Sequence, residues 1–210
     1  MLFLLTGEVR IGKTRWLERL VADLYASGAS VAGVLAPGVW VPSAGPRADK
    51  NGFEKLGIDN VLLPSGERVR LACRRDLAAA SRTLEEDSQS ERAGLGWAMT
   101  DGAIKQVDAH FAWLAEDEVH GLNKTAAPGL LIADELGRLE LLRGEGLVHA
   151  IELLARGPRP HWPHVLAVVR RDLLPYAHKR FDIAWNGEVK EISPTESDAA
   201  RLRTLFAAIA

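Results

Sequence analysis

The spacing Gly7-Glu8-Val9-Arg10-Ile11-Gly12-Lys13-Thr14 constrains this chain more than anything else in it. Two glycines five positions apart, then Lys and Thr, describe a loop that turns tightly enough for its backbone N–H groups to face inward around an anion. The flanks agree. Leu2 to Thr6 reads as a short buried strand, and Thr14 to about Ser27 has helical periodicity. Trp16, Leu17, Leu20, Val21 and Leu24 share one side of that helix, and Gly28 ends it. A strand, a glycine loop and a helix whose N-terminus points at the loop form a phosphate-binding unit. Such a loop belongs to an α/β fold with a parallel sheet.

The rest of the chain alternates in the same way. Val31–Ala36, Leu130–Ala133 and Val165–Val169 read as buried strands, the last two as continuous apolar runs of the kind found in central parallel strands. Helices are expected at Ala103–Val119, Leu139–Ala155 and Ser197–Ala210. Phe53–Leu63 and Arg68–Ala72 flank Pro64-Ser-Gly-Glu67 and read as an inserted antiparallel hairpin, about 53–72. Asn186-Gly187 predicts a second hairpin within 183–192. Residues 37–52 are rich in Pro, Gly and charge and are expected as a surface loop; 84–92, almost without apolar residues, as a solvated loop or helix end. The expected architecture is a mainly parallel sheet flanked by helices, one domain over 1–210.

Composition narrows the function classes. At 210 residues, 47% hydrophobic and 26% charged, the chain can bury a sizeable core without metals or disulfides. Cys73 is the only cysteine, which excludes a disulfide scaffold and a cysteine metal cluster. A net charge of −2 gives no general attraction to nucleic acid, which is not an expected partner. The first five residues are too short an apolar run for a signal peptide, and no run is long enough for a membrane span. The expected location is the cytoplasm, with no membrane partner.

The candidate site follows from phosphate chemistry. Gly7, Glu8, Val9, Arg10, Ile11, Gly12, Lys13, Thr14 and Arg15 are the nucleotide-binding segment. Lys13 brings a positive charge to the β- and γ-phosphates, and the Thr14 hydroxyl is a Mg²⁺ ligand. The strand Leu130-Leu-Ile-Ala ends in Asp134-Glu135. Asp134 is the second metal ligand, direct or through water, and Glu135 is placed to orient or polarise an attacking water. Arg170 and Arg171 follow a core strand at the sheet edge where α/β folds hold ligands, and either a charge-stabilising role or a surface pair fits them. Arg138 and Glu8 are lesser candidates. Glu140 reads as an acid in the first turn of a helix. Trp97 and Trp185 are the candidates for stacking on a base. His161 and His164 lack further ligands for a metal, and His178-Lys179-Arg180 reads as a solvated helix end.

Several of these segments, in order, resemble the small nucleoside-triphosphatases that include the animal cancer-related NTPase. Thr6-Gly7-Glu8 leading to Gly12-Lys13-Thr14 is similar to that family's T-G-E-P-G-V-G-K-T, and Val31-Ala-Gly-Val34 to its second strand. Asn51-Gly52-Phe53 resembles its Gly-Phe hairpin, and Arg171-Asp172-Leu-Leu-Pro175 its R-D-x-x-P. Asp134-Glu-Leu-Gly-Arg-Leu-Glu-Leu141 against D-E-I-G-K-M-E-L is the most specific match. The resemblance spans nearly the whole chain. It implies a RecA-like P-loop fold and slow Mg²⁺-dependent hydrolysis of ATP, GTP and other nucleoside triphosphates, with broad base tolerance. Lys13, Glu135 and Arg171 would be the catalytic residues, and Thr14 and Asp134 the metal ligands. No protein partner follows from it.

The chain departs from the family at three places. Val9-Arg10 replaces Pro-Gly, Ala167 replaces a strand threonine that would sense the γ-phosphate, and only Thr195-Glu196-Ser197 remains of T-x-E-N-R. Two other readings therefore stay open. One is a P-loop kinase for a nucleotide or small metabolite, with 37–52, bearing Arg47 and Lys50, as its lid. The other is a nucleotide-gated interaction module with little turnover.

Overall fold

Continuous apolar runs build the parallel part of the sheet, and successive side chains go to opposite faces. In the computed structural model, which describes residues 1–9, 11–120 and 129–207 (without the side chains of 117–120 and 207), β1 (Leu2–Leu5) turns Leu2 and Leu4 to one face and Phe3 and Leu5 to the other. β2 (Val31–Leu35), β7 (Leu130–Leu136) and β8 (His164–Val169) alternate likewise. Strands buried on both faces need cover on both. α1 (Lys13–Ala26) and α7 (Glu196–Ala207) pack on the Phe3 face. α4 (Asp101–His120), α5 (Val148–Ala155) and α6 (Leu174–Phe181) pack on the Leu4 face. The buried set of α1 is Trp16, Leu17, Leu20, Val21 and Leu24, as its periodicity predicts.

Among the described residues, five strands run parallel, in the order β2-β7-β8-β1-β9, where β9 is Val189–Ile192. β4 (Phe53–Leu63), β5 (Glu67–Arg74) and β6 (Trp97–Met99) extend this sheet beyond β2 as an antiparallel wing. The expected hairpin is present, and it joins the main sheet edge to edge. Close packing between strands has its own requirement: a Cβ on Gly33, at φ +107°, would lie 2.0 Å from the Ile132 carbonyl oxygen. Among the described residues, no helix is long and apolar enough to cross a membrane.

Four sequence expectations need correction. Gly38–Pro42 is a strand, β3, paired antiparallel with β4, so 37–52 is not all loop. Pro37 and Pro42 bracket the strand-forming run Val39-Trp40-Val41 and mask it. The helix over Leu139–Ala155 is interrupted. A single π-helical turn, Leu139–Arg143, ends at Gly144 and Gly146, both at positive φ, before α5 begins. The hairpin at 183–192 is absent: residues 183–188 close the end of α6, and β9 runs parallel to β1. Burial of Phe181 and Trp185, whose indole N–H donates to the Leu154 carbonyl at 2.9 Å, keeps that segment on the helical face.

The stretch 84–92 is not wholly solvated either. Ser88 and Ser90 are buried, and the Ser90 hydroxyl bonds both Met99 backbone groups. A short helix, α3 (Gln89–Arg92), docks beside β6, and α2 (Arg75–Ala80) follows β5. Residues 208–210 of the expected last helix lie outside the described residues, as does Arg10.

Candidate functional site

The glycine loop leaves the C-terminal end of β1 and enters α1 through Gly12, whose φ of +98° places it in a region that favours glycine. The Lys13 ammonium folds back over the loop and donates to the carbonyls of Gly7 and Glu8, at 2.9 and 3.0 Å. Burial lowers its pKa. The charges of Glu135, Asp134 and Glu8 oppose that shift, and Arg170 adds to it. Lys13 therefore feels both acids at the end of β7 and an arginine at the end of β8.

Asp134 is 3% exposed. Its Oδ2 accepts the Ala36 N–H at 2.9 Å, just beyond β2. Ala36 lies in the two-residue gap between β2 and Gly38–Pro42, which run along β4 in one register, and there its amide is given to the carboxylate. Oδ1 is buried with no hydrogen-bond partner. Burial pushes the Asp134 pKa up to about 7. The Ala36 N–H works against this, the Glu135 charge adds to it, and the Thr14 hydroxyl, facing the same carboxylate, works against it. A buried oxygen without a partner costs free energy unless something binds it. The threonine and aspartate fit a hard divalent cation that takes its other ligands from phosphate and water. Among the described residues, no group of three or more His, Cys, Asp or Glu could hold a metal ion. That is no obstacle for Mg²⁺, which commonly binds through one or two carboxylates plus substrate oxygens.

Glu135 is exposed and sits at φ +75°. The pairing of β7 with β8 is regular through Ala133↔Ala167 and shifts before Leu136↔Val169. This bulge lets Asp134 point inward while Glu135 swings out of the strand, and Leu136 returns to the core. A non-glycine residue in this conformation costs about 1–3 kcal/mol and persists only where its surroundings hold it. Nothing in the alternating pattern of the sequence announces it. The turn after the bulge rests on Glu140, a half-buried acid that does stand in the first turn of the Leu139–Arg143 helix, as its sequence position suggests. Burial raises its pKa, and bonds from backbone N–H groups, those of Gly137 and Leu147 among them, oppose the rise.

Both arginines after β8 come to this edge. Arg171 reaches Glu8 of the glycine loop at 3.0 Å; the two side chains are 68% and 73% exposed. Such a pair contributes little to stability and is free to exchange partners. Arg170 pairs with Asp172 at 3.2 Å. Ala167 is buried in mid-strand, so β8 presents no polar side chain at that position. Arg138 is exposed on the turn after β7. Val9 and Ile11 of the loop are also exposed.

The proposed base-stacking residues lie elsewhere. Trp185 is 1% exposed and belongs to the core. Trp97 is in β6, at the far edge of the wing, under the Lys55 ammonium at 5.2 Å. Trp40, which sequence reasoning passed over, sits in β3 with the Arg15 guanidinium 5.6 Å above its ring. Arg15 follows Thr14 directly, so this contact brings Trp40 of β3 beside the start of α1 and the glycine loop. Arg47 is engaged with Asp76 at 2.7 Å. His164 and His178 carry structural roles. His164 packs edge-on against Phe206, and burial keeps its pKa low. Burial alone would lower the His178 pKa, but bonds to Asp182 and Glu191 outweigh it. Thr195 caps α7 through Asp198, and its carbonyl accepts the Trp16 indole N–H at 2.9 Å. Cys73 is a free, half-buried thiol in β5.

No protein-family model matches the chain, and comparison with curated proteins and with solved structures finds no match.

Proposed function

We propose that this chain is a RecA-like P-loop nucleoside-triphosphatase that binds a Mg²⁺–nucleoside triphosphate and hydrolyses it to the diphosphate and phosphate. One observation carries the reading. A glycine loop ending in Lys13-Thr14 meets a buried aspartate whose partnerless Oδ1 shares the carboxylate that Thr14 faces, and the next residue is a glutamate thrown outward by a bulge. The strand order supports it too, since β1 and β7 deliver loop and acids to the same C-terminal sheet edge. The likeness to the small NTPase family points the same way.

Each residue then has a task. The loop amides and the N-terminus of α1 would hold the phosphates. Lys13 would exchange its two carbonyl partners for phosphate oxygens. Thr14 and Asp134 would hold Mg²⁺, which supplies charge neutralisation on the phosphate oxygens. Glu135 would orient a water towards the γ-phosphorus. As the new P–O bond forms, the bond to the β–γ bridging oxygen breaks and the diphosphate leaves. The water's proton passes to the Glu135 carboxylate and from there to the phosphate product. Arg171 and Arg170 would offset charge on the transferring group, so that positioning and electrostatics do most of the work.

The kinase reading keeps one observation of its own. β3 puts Trp40 against Arg15, where a second substrate would approach the phosphate loop. Adding candidate acceptors to a phosphate-release assay separates the two, because a kinase would divert phosphate from water.

Binding tests the proposal at its root. Lys13→Ala is expected to weaken Mg²⁺–ATP binding about tenfold to a hundredfold in calorimetry, as the loss of a charge-assisted contact of about 1.5–3 kcal/mol implies. Unchanged affinity would remove Lys13 from the site.

A further inference from the structure

Glu140 is a carboxylate that neither the phosphates nor the metal needs. Its Oε2 accepts the N–H of Gly137 at 2.7 Å, and its Oε1 accepts the N–H of Leu147 at 3.2 Å. Those amides belong to two different turns. One follows the acid strand β7, and the other precedes α5. Gly146 packs against the same carboxylate: at φ +74°, a Cβ there would lie 2.1 Å from Oε1. The Gly146 N–H in turn donates to Gln89 Oε1 at 2.8 Å. The Glu140 side chain thus pins the two turns together, and Gln89 ties the second of them to α3.

The first turn matters because of what precedes it. Gly137 is two residues beyond Glu135, the residue held at φ +75°. A strained backbone relaxes unless it is anchored on both sides. On the N-terminal side the anchor is Asp134, buried and bonded to Ala36. On the C-terminal side Leu136 is buried, and the next backbone group is fixed by Glu140.

We propose that Glu140 is a positioning residue: by clamping Gly137 to Leu147 it holds Glu135 in its outward, left-handed conformation and so keeps the water-orienting carboxylate aimed at the phosphate site without touching nucleotide. The inference rests on the proposed role of Glu135. The chemistry asks for a carboxylate, because two backbone N–H donors need two acceptor oxygens. A glutamine offers one, and its NH₂ would face the other N–H. An alanine offers none.

The test compares full-length wild type, Glu140→Gln, Glu140→Ala and Glu135→Gln, alone and combined. Three quantities are read: steady-state phosphate release from Mg²⁺–ATP, equilibrium binding of a non-hydrolysable ATP analogue, and amide hydrogen exchange. The expected kcat falls about tenfold in Glu140→Gln and about a hundredfold in Glu140→Ala, the size of a misplaced catalytic group, while KM and analogue affinity move less than about threefold. Exchange is expected to speed up at Gly137 and Leu147 together. In the Glu135→Gln background, either Glu140 change should lower the residual rate less than about twofold, because its effect passes through Glu135. A general structural role would lose affinity along with kcat, or would multiply with Glu135→Gln, and either result overturns the proposal. So does an unchanged kcat with both amides deprotected. If Glu140→Ala does not fold, Glu140→Gln carries the comparison. If wild type releases no phosphate, the hydrolase reading fails separately. The clamp is then judged by exchange: faster exchange across 135–137 in Glu140→Gln supports it, and no change overturns it.

Discussion

Glu135→Gln is expected to lower phosphate release by about 10²–10⁴-fold, the usual worth of a general base or water-orienting group. Nucleotide affinity should hold or tighten slightly. The amide keeps the size of the side chain at its exposed position after the bulge, so the fold has no reason to change. What disappears is the proton acceptor and one negative charge. That charge now raises the pKa of both Lys13 and Asp134. Without it, a triphosphate approaching Lys13 meets less repulsion. The kcat from phosphate release and the Kd for an ATP analogue check the two halves. Wild-type turnover in the variant would take Glu135 out of the mechanism.

Asp134→Asn is expected to have opposite effects on activity and stability. Mg²⁺-dependent turnover should fall by about a hundredfold or more, since several kcal/mol of metal-borne charge stabilisation is lost at 1.36 kcal/mol per tenfold. The metal-free protein should become more stable. The Asp134 pKa is raised from 3.8 to about 7 by burial. The native state therefore holds a proton that the unfolded chain has released, and stability falls as pH rises between those values. The favourable protonated form is complete below the lower value and is lost as pH passes the upper. At pH 8 the aspartate is charged and buried, with Oδ1 lacking a hydrogen-bond partner. Asparagine keeps an acceptor for the Ala36 N–H and places a neutral amide towards Thr14. The gain should be about 2–4 kcal/mol, from roughly three units of pKa at 1.36 kcal/mol each, or some 5–15 °C in Tm for a chain of this size. Thermal unfolding in EDTA at pH 5 and pH 8 checks it. The variant's advantage should be large at pH 8 and shrink towards pH 5. An equal advantage at both would mean that the carboxylate is not the source.

Most of the frame was legible in the sequence, because it rests on local patterns that tertiary contacts reinforce. The five buried residues of α1 follow from spacing alone. The apolar runs at Leu130–Ala133 and Val165–Val169 do stand adjacent in the parallel part of the sheet. The glycine loop and the acid pair meet where an α/β sheet brings strand ends together. The misreadings have physical causes. Asn186-Gly187 takes the left-handed angles a hairpin would need, but burial of Trp185 uses those angles to close a helix. Leu139–Ala155 is rich in helix formers, yet Gly144 and Gly146 sit at positive φ and break it. Prolines 37 and 42 masked β3, and with it the Trp40–Arg15 contact. The bulge at Glu135 had no sequence signal, because an acid pair at a strand end looks the same whether or not the second acid leaves the ladder. Glu140 was invisible as a clamp for a related reason: its partners are backbone amides, which carry no residue identity.

The central claim is hydrolysis of a nucleoside triphosphate at the Lys13–Asp134–Glu135 site. Phosphate release from ATP, GTP, CTP and UTP, with Mg²⁺ and with EDTA, tests it most directly. The account predicts release from several of the four, abolished by EDTA and by Glu135→Gln. Tight nucleotide binding with no release from any of them would contradict hydrolysis and leave a kinase or a nucleotide-gated module as the function of this site.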